Sequence, residues 1–214
     1  FDGDTNLTIK DNYFNYNYVG IGLLDVTGAP ITGNTFDYTG YGIIAQGGES
    51  IVIDSNEMNY VDFGITATDS LGIKITNNYL YGGFGGYDDE FQTEEYNGEG
   101  QGEDYGYGIG SYGIHITSGG VNSVVAGNTV DNFYTGIGVE HSLDSNIFFN
   151  EVKNIVGDAI FLNDNSHTLA FQNTIHNATN GIHVIDSSRT DIIENTIHDT
   201  HTGVLAENDS IISI

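Results

Sequence analysis

Apolar and polar positions recur along this chain with a step of 22 or 23 residues. An asparagine marks each step: Asn12, Asn34, Asn56 and Asn78, then Asn128, Asn150, Asn173 and Asn195. Two residues beyond each stands an apolar side chain, from Phe14 and Phe36 to Ile175 and Ile197. Eight residues beyond most of them, a glycine opens an alternating segment, as in Gly42-Ile-Ile-Ala and Gly181-Ile-His-Val. Strand side chains alternate between faces. Ile43/Ala45, Ile65/Ala67, Ile137/Val139 and Ile182/Val184 therefore share one inward face, stacked repeat over repeat. A further strand precedes each asparagine, as in Ile51–Ile53 and Ile73–Ile75. A strand-rich period of roughly 20–30 residues marks a solenoid. Three short strands per turn predict an all-β chain: one right-handed parallel β-helix of about eight coils, ~22 residues each.

The asparagine column predicts a structural ladder. Asn tolerates left-handed corners and bonds nearby backbone through its amide. Turned inward, each amide satisfies the backbone of an adjoining coil. The glycine column predicts either close backbone approach or a positive φ at the next corner.

One step is irregular. Asn78 to Asn128 spans 50 residues, which sets residues 81–112 apart as an acidic, Gly/Tyr-rich insertion in a single β-helix domain of residues 1–214. Phe1 and Ile214 fall inside repeats without a polar end cap, so the domain is expected to be a piece of a longer solenoid. The insertion carries Asp88, Asp89, Glu90, Glu94 and Glu95 and no lysine or arginine. Clustered carboxylates suit Ca²⁺, the one cofactor expected; a solvated, self-repelling loop is the alternative. The whole chain has 30 acidic against 4 basic residues, a net charge of −26. Phosphate binding needs a basic stripe, so nucleic acid is excluded as a partner. No apolar run is long enough for a transmembrane helix, and with no cysteine there are no disulfides.

Polar residues concentrate on the outward face of the sheet that follows the glycines: His115, Glu140, His141, Asn163, Asp164, His183 and Asp186, with Phe161 among them. These, Asp164 apart, are the candidate carbohydrate contacts. If the chain is an enzyme, its expected catalytic group is His115, Glu140 and Asp164. Glu140 and Asp164 fall one coil apart, a spacing that suits paired carboxyls in glycoside hydrolysis, and an imidazole serves proton transfer. Gly138 predicts a notch where a sugar fits. Plain polar decoration of a solvated sheet explains the same residues. On another face His176 and His198 stand in adjacent coils beside Lys153, and exposed stacked rings are expected there rather than a metal site.

The Asn-x-apolar and Gly-Ile-x-apolar repeats resemble the pectate-lyase-like superfamily of parallel β-helices, with its mannuronan-epimerase-like and NosD-like members. The resemblance covers nearly all of the chain outside residues 81–112. It implies a glycan lying along the sheet that follows the glycine corners. The Asp-Pro-His-Glu signature of the mannuronan epimerases is missing, as is an arginine-rich groove. The leading expectation is therefore a non-enzymatic extracellular or cell-surface solenoid. Its role would be structural or adhesive, contacting glycans or pairing end to end with its own copies. A polysaccharide lyase, C5-epimerase or hydrolase is the alternative.

Overall fold

The computed structural model describes residues 1–5, 7–83, 111–118, 120–208 and 210–213. The chain winds as a right-handed parallel β-helix of about eight turns. Among the described residues, the strands preceding each asparagine form a nine-stranded parallel sheet that starts at Ile9–Lys10 and Pro30–Thr32. The strands following the asparagines and the glycines form the other wall. Register shifts by one coil per strand, as in Ile43 beside Ile65 and Ile137 beside Ile160. Inward residues of all three segments merge into one continuous core along the axis. No coil closes a core alone, so stability comes from stacking on neighbours.

Three short strands per coil describe only part of the helix. From Glu151–Asn163 onward, the second and third strands fuse into long bent strands, Thr174–Ile185 and Thr196–Glu207 being the next two. In the earlier coils the strands are interrupted at the same corner, although a left-handed residue stands there in both, Tyr16 and Tyr38 early and Asn154 and Asn177 late.

The eight asparagines form an unbroken ladder. Each amide from Asn12 to Asn173 donates to the side-chain oxygen of the next asparagine at 2.9–3.0 Å. That same oxygen also accepts the backbone N–H of the preceding asparagine, as Asn56 Oδ1 does from Asn34. The second amide hydrogen goes to a carbonyl of the coil before, such as Ile31 for Asn56. The ladder runs across the long step without a gap, Asn78 to Asn128 being 3.0 Å. All the polar groups of a buried corner are thereby paired.

The glycine column serves close approach and not positive φ. A Cβ on Gly42 would lie 2.7 Å from the Gly64 carbonyl and 2.7 Å from Met58 Sδ. Gly42 is not among the glycines with positive φ. Among the described residues, no helix is long and apolar enough to cross a membrane.

Candidate functional site

The sheet following the glycines presents three outward rows. One holds Tyr41, Phe63, Tyr112, Thr135, Asp158 and Asn180. Tyr41 pairs with Phe63, Tyr112 with Thr135 and Asp158 with Asn180. Phe63 and Tyr112 both stand two residues before a paired isoleucine, Ile65 and Ile114. The second row carries Thr66, His115, Gly138, Phe161 and His183. The third carries Glu140, Asn163, Ile185 and Glu207.

Within this grid the strand Tyr112–Thr117 brings a phenol and an imidazole together. The rings of Tyr112 and His115 stack with centroids 4.0 Å apart and planes 11° apart. Glu140, from the adjoining coil, sets one oxygen 2.9 Å from His115 Nε2, and Tyr112 donates its hydroxyl to that oxygen at 3.3 Å. Asn163 donates to the other oxygen at 3.3 Å. The His115 and Glu140 side chains are only 21% and 17% exposed, so water screens the pair weakly.

Gly138 does not leave the expected notch. The Tyr112 ring covers it, and a Cβ there would meet Tyr112 Cε1 at 2.5 Å. The glycine is what lets the ring lie flat beside His115.

Electrostatics follow from these contacts. Hydrogen bonding from His115, with help from Asn163 and Tyr112, holds the Glu140 carboxyl below its usual range despite burial. Burial, reinforced by the charge of Glu140, pushes the Tyr112 phenol up to about 12. Tyr112 is therefore a protonated donor at neutral pH. An ionised carboxylate only accepts, so His115 Nε2 carries the proton in this contact.

A second cluster adjoins the first. His183 is held by Asp158 at 3.1 Å through Nδ1 and by Glu207 at 3.4 Å through Nε2. Asn180 donates to the other Asp158 oxygen at 2.7 Å. Phe161 meets His183 edge-on at 5.4 Å. Tyr112, Asp158 and Asn180 complete these clusters and are not among the residues expected from sequence. Tyr112 falls at the edge of the insertion, yet it shares a register with Tyr41 and Phe63. Asp158 enters at a register shift, and its sequence signal is the 23-residue step from Asn150 to Asn173.

Other expected residues stay apart. Asp164 does not face Glu140 but pairs with His141 at 3.0 Å on an exposed corner, where both residues have positive φ. Asp186 occupies the next such corner, also exposed. The carboxyl pair expected for hydrolysis is thus not assembled. The expected calcium ligands Asp88, Asp89, Glu90, Glu94 and Glu95 lie outside the described residues. His176 and His198 stack in parallel at 5.2 Å, and His198 bonds Asp199 at 2.8 Å.

Two family models match the chain: one described as right handed beta helix region over residues 95–214, the other as periplasmic copper-binding protein (NosD) over residues 1–108. No curated protein matches it. Among solved structures it resembles a double mutant of the periplasmic alginate epimerase AlgG, at 23% identity and a TM-score of 0.68, over 85% of this chain and 38% of that one. It also resembles the A-module of the Azotobacter vinelandii mannuronan C-5 epimerase AlgE6, at 14% identity and a TM-score of 0.53, over 98% and 58%. A third is a mutant tailspike protein of E. coli bacteriophage HK620 in complex with a pentasaccharide, at 10% identity and a TM-score of 0.56, over 98% and 48%. The chain thus spans between about two fifths and three fifths of these structures.

These neighbours correct the leaning toward a non-enzymatic scaffold: epimerases are built on this fold, so the leaning drawn from a missing signature and an arginine-poor groove does not stand. The copper in the NosD description does not fit the residues. Residues 1–108, where that model matches, contain no histidine or cysteine, and their single methionine, Met58, is buried in the core. Among the described residues, no cluster of three His, Cys, Asp or Glu side chains is arranged to hold a metal ion. With two models each covering half of its length and a continuous asparagine ladder, the chain belongs to the right-handed β-helix proteins, residues 95–214 matching the right handed beta helix region and residues 1–108 the NosD family.

Proposed function

We propose that this chain is the working face of a carbohydrate-active β-helix outside the cytoplasm, and that it removes the proton next to the carboxylate of a uronic-acid polymer. The observation that carries this reading is the 2.9 Å contact of His115 Nε2 with Glu140, under a Tyr112 ring stacked on the same imidazole. Alginate and mannuronan epimerases among the structural neighbours supply the substrate class.

In this reading His115 Nδ1 takes the C5 proton as general base, and Glu140 orients the ring and stabilises the imidazolium that forms. The electron pair moves toward the sugar carboxylate. From there it returns to C5 with a new proton, which is epimerisation, or expels the glycosidic oxygen at C4, which is β-elimination. Tyr112, protonated well above neutral pH, gives its proton to the leaving oxygen and is reprotonated from solvent. Both groups reach the sugar from the sheet side, which suits elimination on one face. Inversion at C5 needs its second proton from the opposite side.

A carboxylate substrate on a chain of net charge −26 needs a cation to neutralise it. The assay is therefore run with and without Ca²⁺. Mannuronan is incubated in D₂O, and NMR reads deuterium at C5, inverted C5 and unsaturated chain ends. His115→Ala should lower turnover about 10²–10⁴-fold, and Tyr112→Phe should suppress unsaturated ends most. Undiminished deuterium incorporation by His115→Ala would sink the assignment.

A further inference from the structure

We propose that two copies of this chain pair side by side, with their axes antiparallel, through the outward face of the nine-stranded sheet. The His115 strand belongs to the other wall, so the groove stays open in the pair. Every second residue of the later strands in the nine-stranded sheet is buried, as Ile147 and Ala170 are. Strand alternation turns their neighbours outward. There the face is apolar: Val124, Phe148, Leu169, Phe171 and Ile193, none of them buried. Phe149, at the left-handed corner and 56% exposed, sets its ring edge-on to Phe148 at 5.4 Å and to Phe171 at 5.8 Å.

Charge decides the occupant. The chain carries a net charge of −26, and a basic partner is drawn to carboxylates. Among the described residues, no charged side chain falls inside this patch, and Asp144, His167 and Arg189 only rim it along the opposite corner. A face cleared of carboxylates suits a partner that is itself acidic, and a second copy is one. Register carries the argument further. Lys74, Val124, Asn146, Leu169 and Asp191 stand in one outward row, each paired with the next. Thr76, Ala126, Phe148, Phe171 and Ile193 stand in the row beside it. A two-fold axis along the strand Asn146–Phe148 reverses the order of both rows. It sets Lys74 of one copy over Asp191 of the other, and Val124 over Leu169. Phe171 then comes over Ala126, where a small side chain leaves room for the ring, and Phe148 meets its own counterpart. Such self-matching is what an isologous contact requires. Coils at ~4.8 Å and about 20 Å of strand and corner give a footprint below the ~800 Å² per partner of standard interfaces. The pair is therefore weak and concentration-dependent.

Sedimentation velocity of the full chain, from micromolar to near-millimolar concentration in moderate salt, is the test. The variants are Phe171→Glu, Lys74→Glu, Asp191→Lys, the double reversal Lys74→Glu/Asp191→Lys, and Tyr16→Glu as a control on a different exposed corner. Unfolding midpoints check that each is folded. The wild type should pass from one copy to two as concentration rises. Phe171→Glu should weaken the dimer roughly tenfold or more, and Tyr16→Glu should leave it unchanged. Each single charge reversal should weaken it, and the double reversal should restore it. A wild type that stays monomeric throughout overturns the pairing. A dimer that survives Phe171→Glu uses another face and overturns this one. Loss in Phe171→Glu without rescue by the double reversal overturns the antiparallel register.

Discussion

The coils before residue 84 and those after residue 110 share one period and one asparagine ladder, yet little else on their surfaces agrees. All seven histidines lie in the later coils. The corners that hold Tyr16, Tyr38 and Tyr60 in the left-handed region are taken later by Asn132, Asn154 and Asn177. Inside, the column of Ala29, Ile51 and Ile73 continues as Ser123, Ser145, Thr168 and Thr190, all four buried. The difference separates what the repeat must conserve from what it leaves free. Backbone pairing and the ladder are common to both halves. Chemistry sits where one half departs from the other.

The largest effect expected from that contrast concerns rate. Glu140 and Gln46 occupy the same outward row, so Glu140→Gln converts the site toward the earlier coils while keeping its shape. Glu140 acts through His115, so its loss should lower kcat about 10²-fold and move the pH–rate profile, with KM for long mannuronan little changed. A profile that keeps its position would mean that Glu140 does not govern the imidazole.

Next in size is the ladder, which should ignore the contrast. Asn56→Ala in the early coils strands the buried N–H of Asn34 and the Ile31 carbonyl, and Asn150→Ala in the late ones strands the buried N–H of Asn128 and the Val125 carbonyl. Each should cost about 1–3 kcal/mol in denaturant unfolding. Asn12→Ala, at the exposed end, should cost less, because water replaces its partners. Unequal losses at Asn56 and Asn150 would break the claim that both halves rest on one scaffold.

This division explains how much the sequence revealed. A solenoid contacts only its neighbours, so a fixed step yields the fold from one dimension of information. Asn12 to Asn195 and the inward isoleucines were legible for that reason. The site needed diagonal contacts between coils. Glu140 reaches back to His115 rather than across to Asp164, and an aromatic ring fills the space that Gly138 seemed to leave. Register alone gives rows, while side-chain direction selects partners. At the fused strands a one-residue shift places Asp158 where the simple repeat does not predict it.

A smaller effect is expected from acid. Glu140 has a folded pKa below its ordinary 4.5, chiefly through the His115 hydrogen bond. A depressed carboxyl adds stability that is present above its unfolded pKa and lost as pH falls through the folded one. Its contribution therefore disappears below about pH 4.5. Glu140→Gln should flatten this part of the stability curve, and Gln46→Glu in the early coils should add no comparable acid limb. Identical acid limbs in the wild type and Glu140→Gln would show that other carboxyls dominate.

The smallest effect returns to the interior contrast. Among the described residues, the hydroxyls of Ser123, Ser145, Thr168 and Thr190 are buried without a hydrogen-bond partner. In the same column of the early coils, Ile51 and Ile73 bring only apolar surface. An unmade buried hydrogen bond costs free energy that an apolar group of the same shape avoids. Thr168→Val nearly preserves volume and makes the late column resemble the early one. It should therefore stabilise the protein by about 1 kcal/mol, read as a higher unfolding midpoint with an unchanged denaturant slope. Turnover should not move, because Thr168 faces the core and not the groove. A loss of stability would mean that the hydroxyl is satisfied in solution, and the late coils would then have a polar interior that the early ones lack.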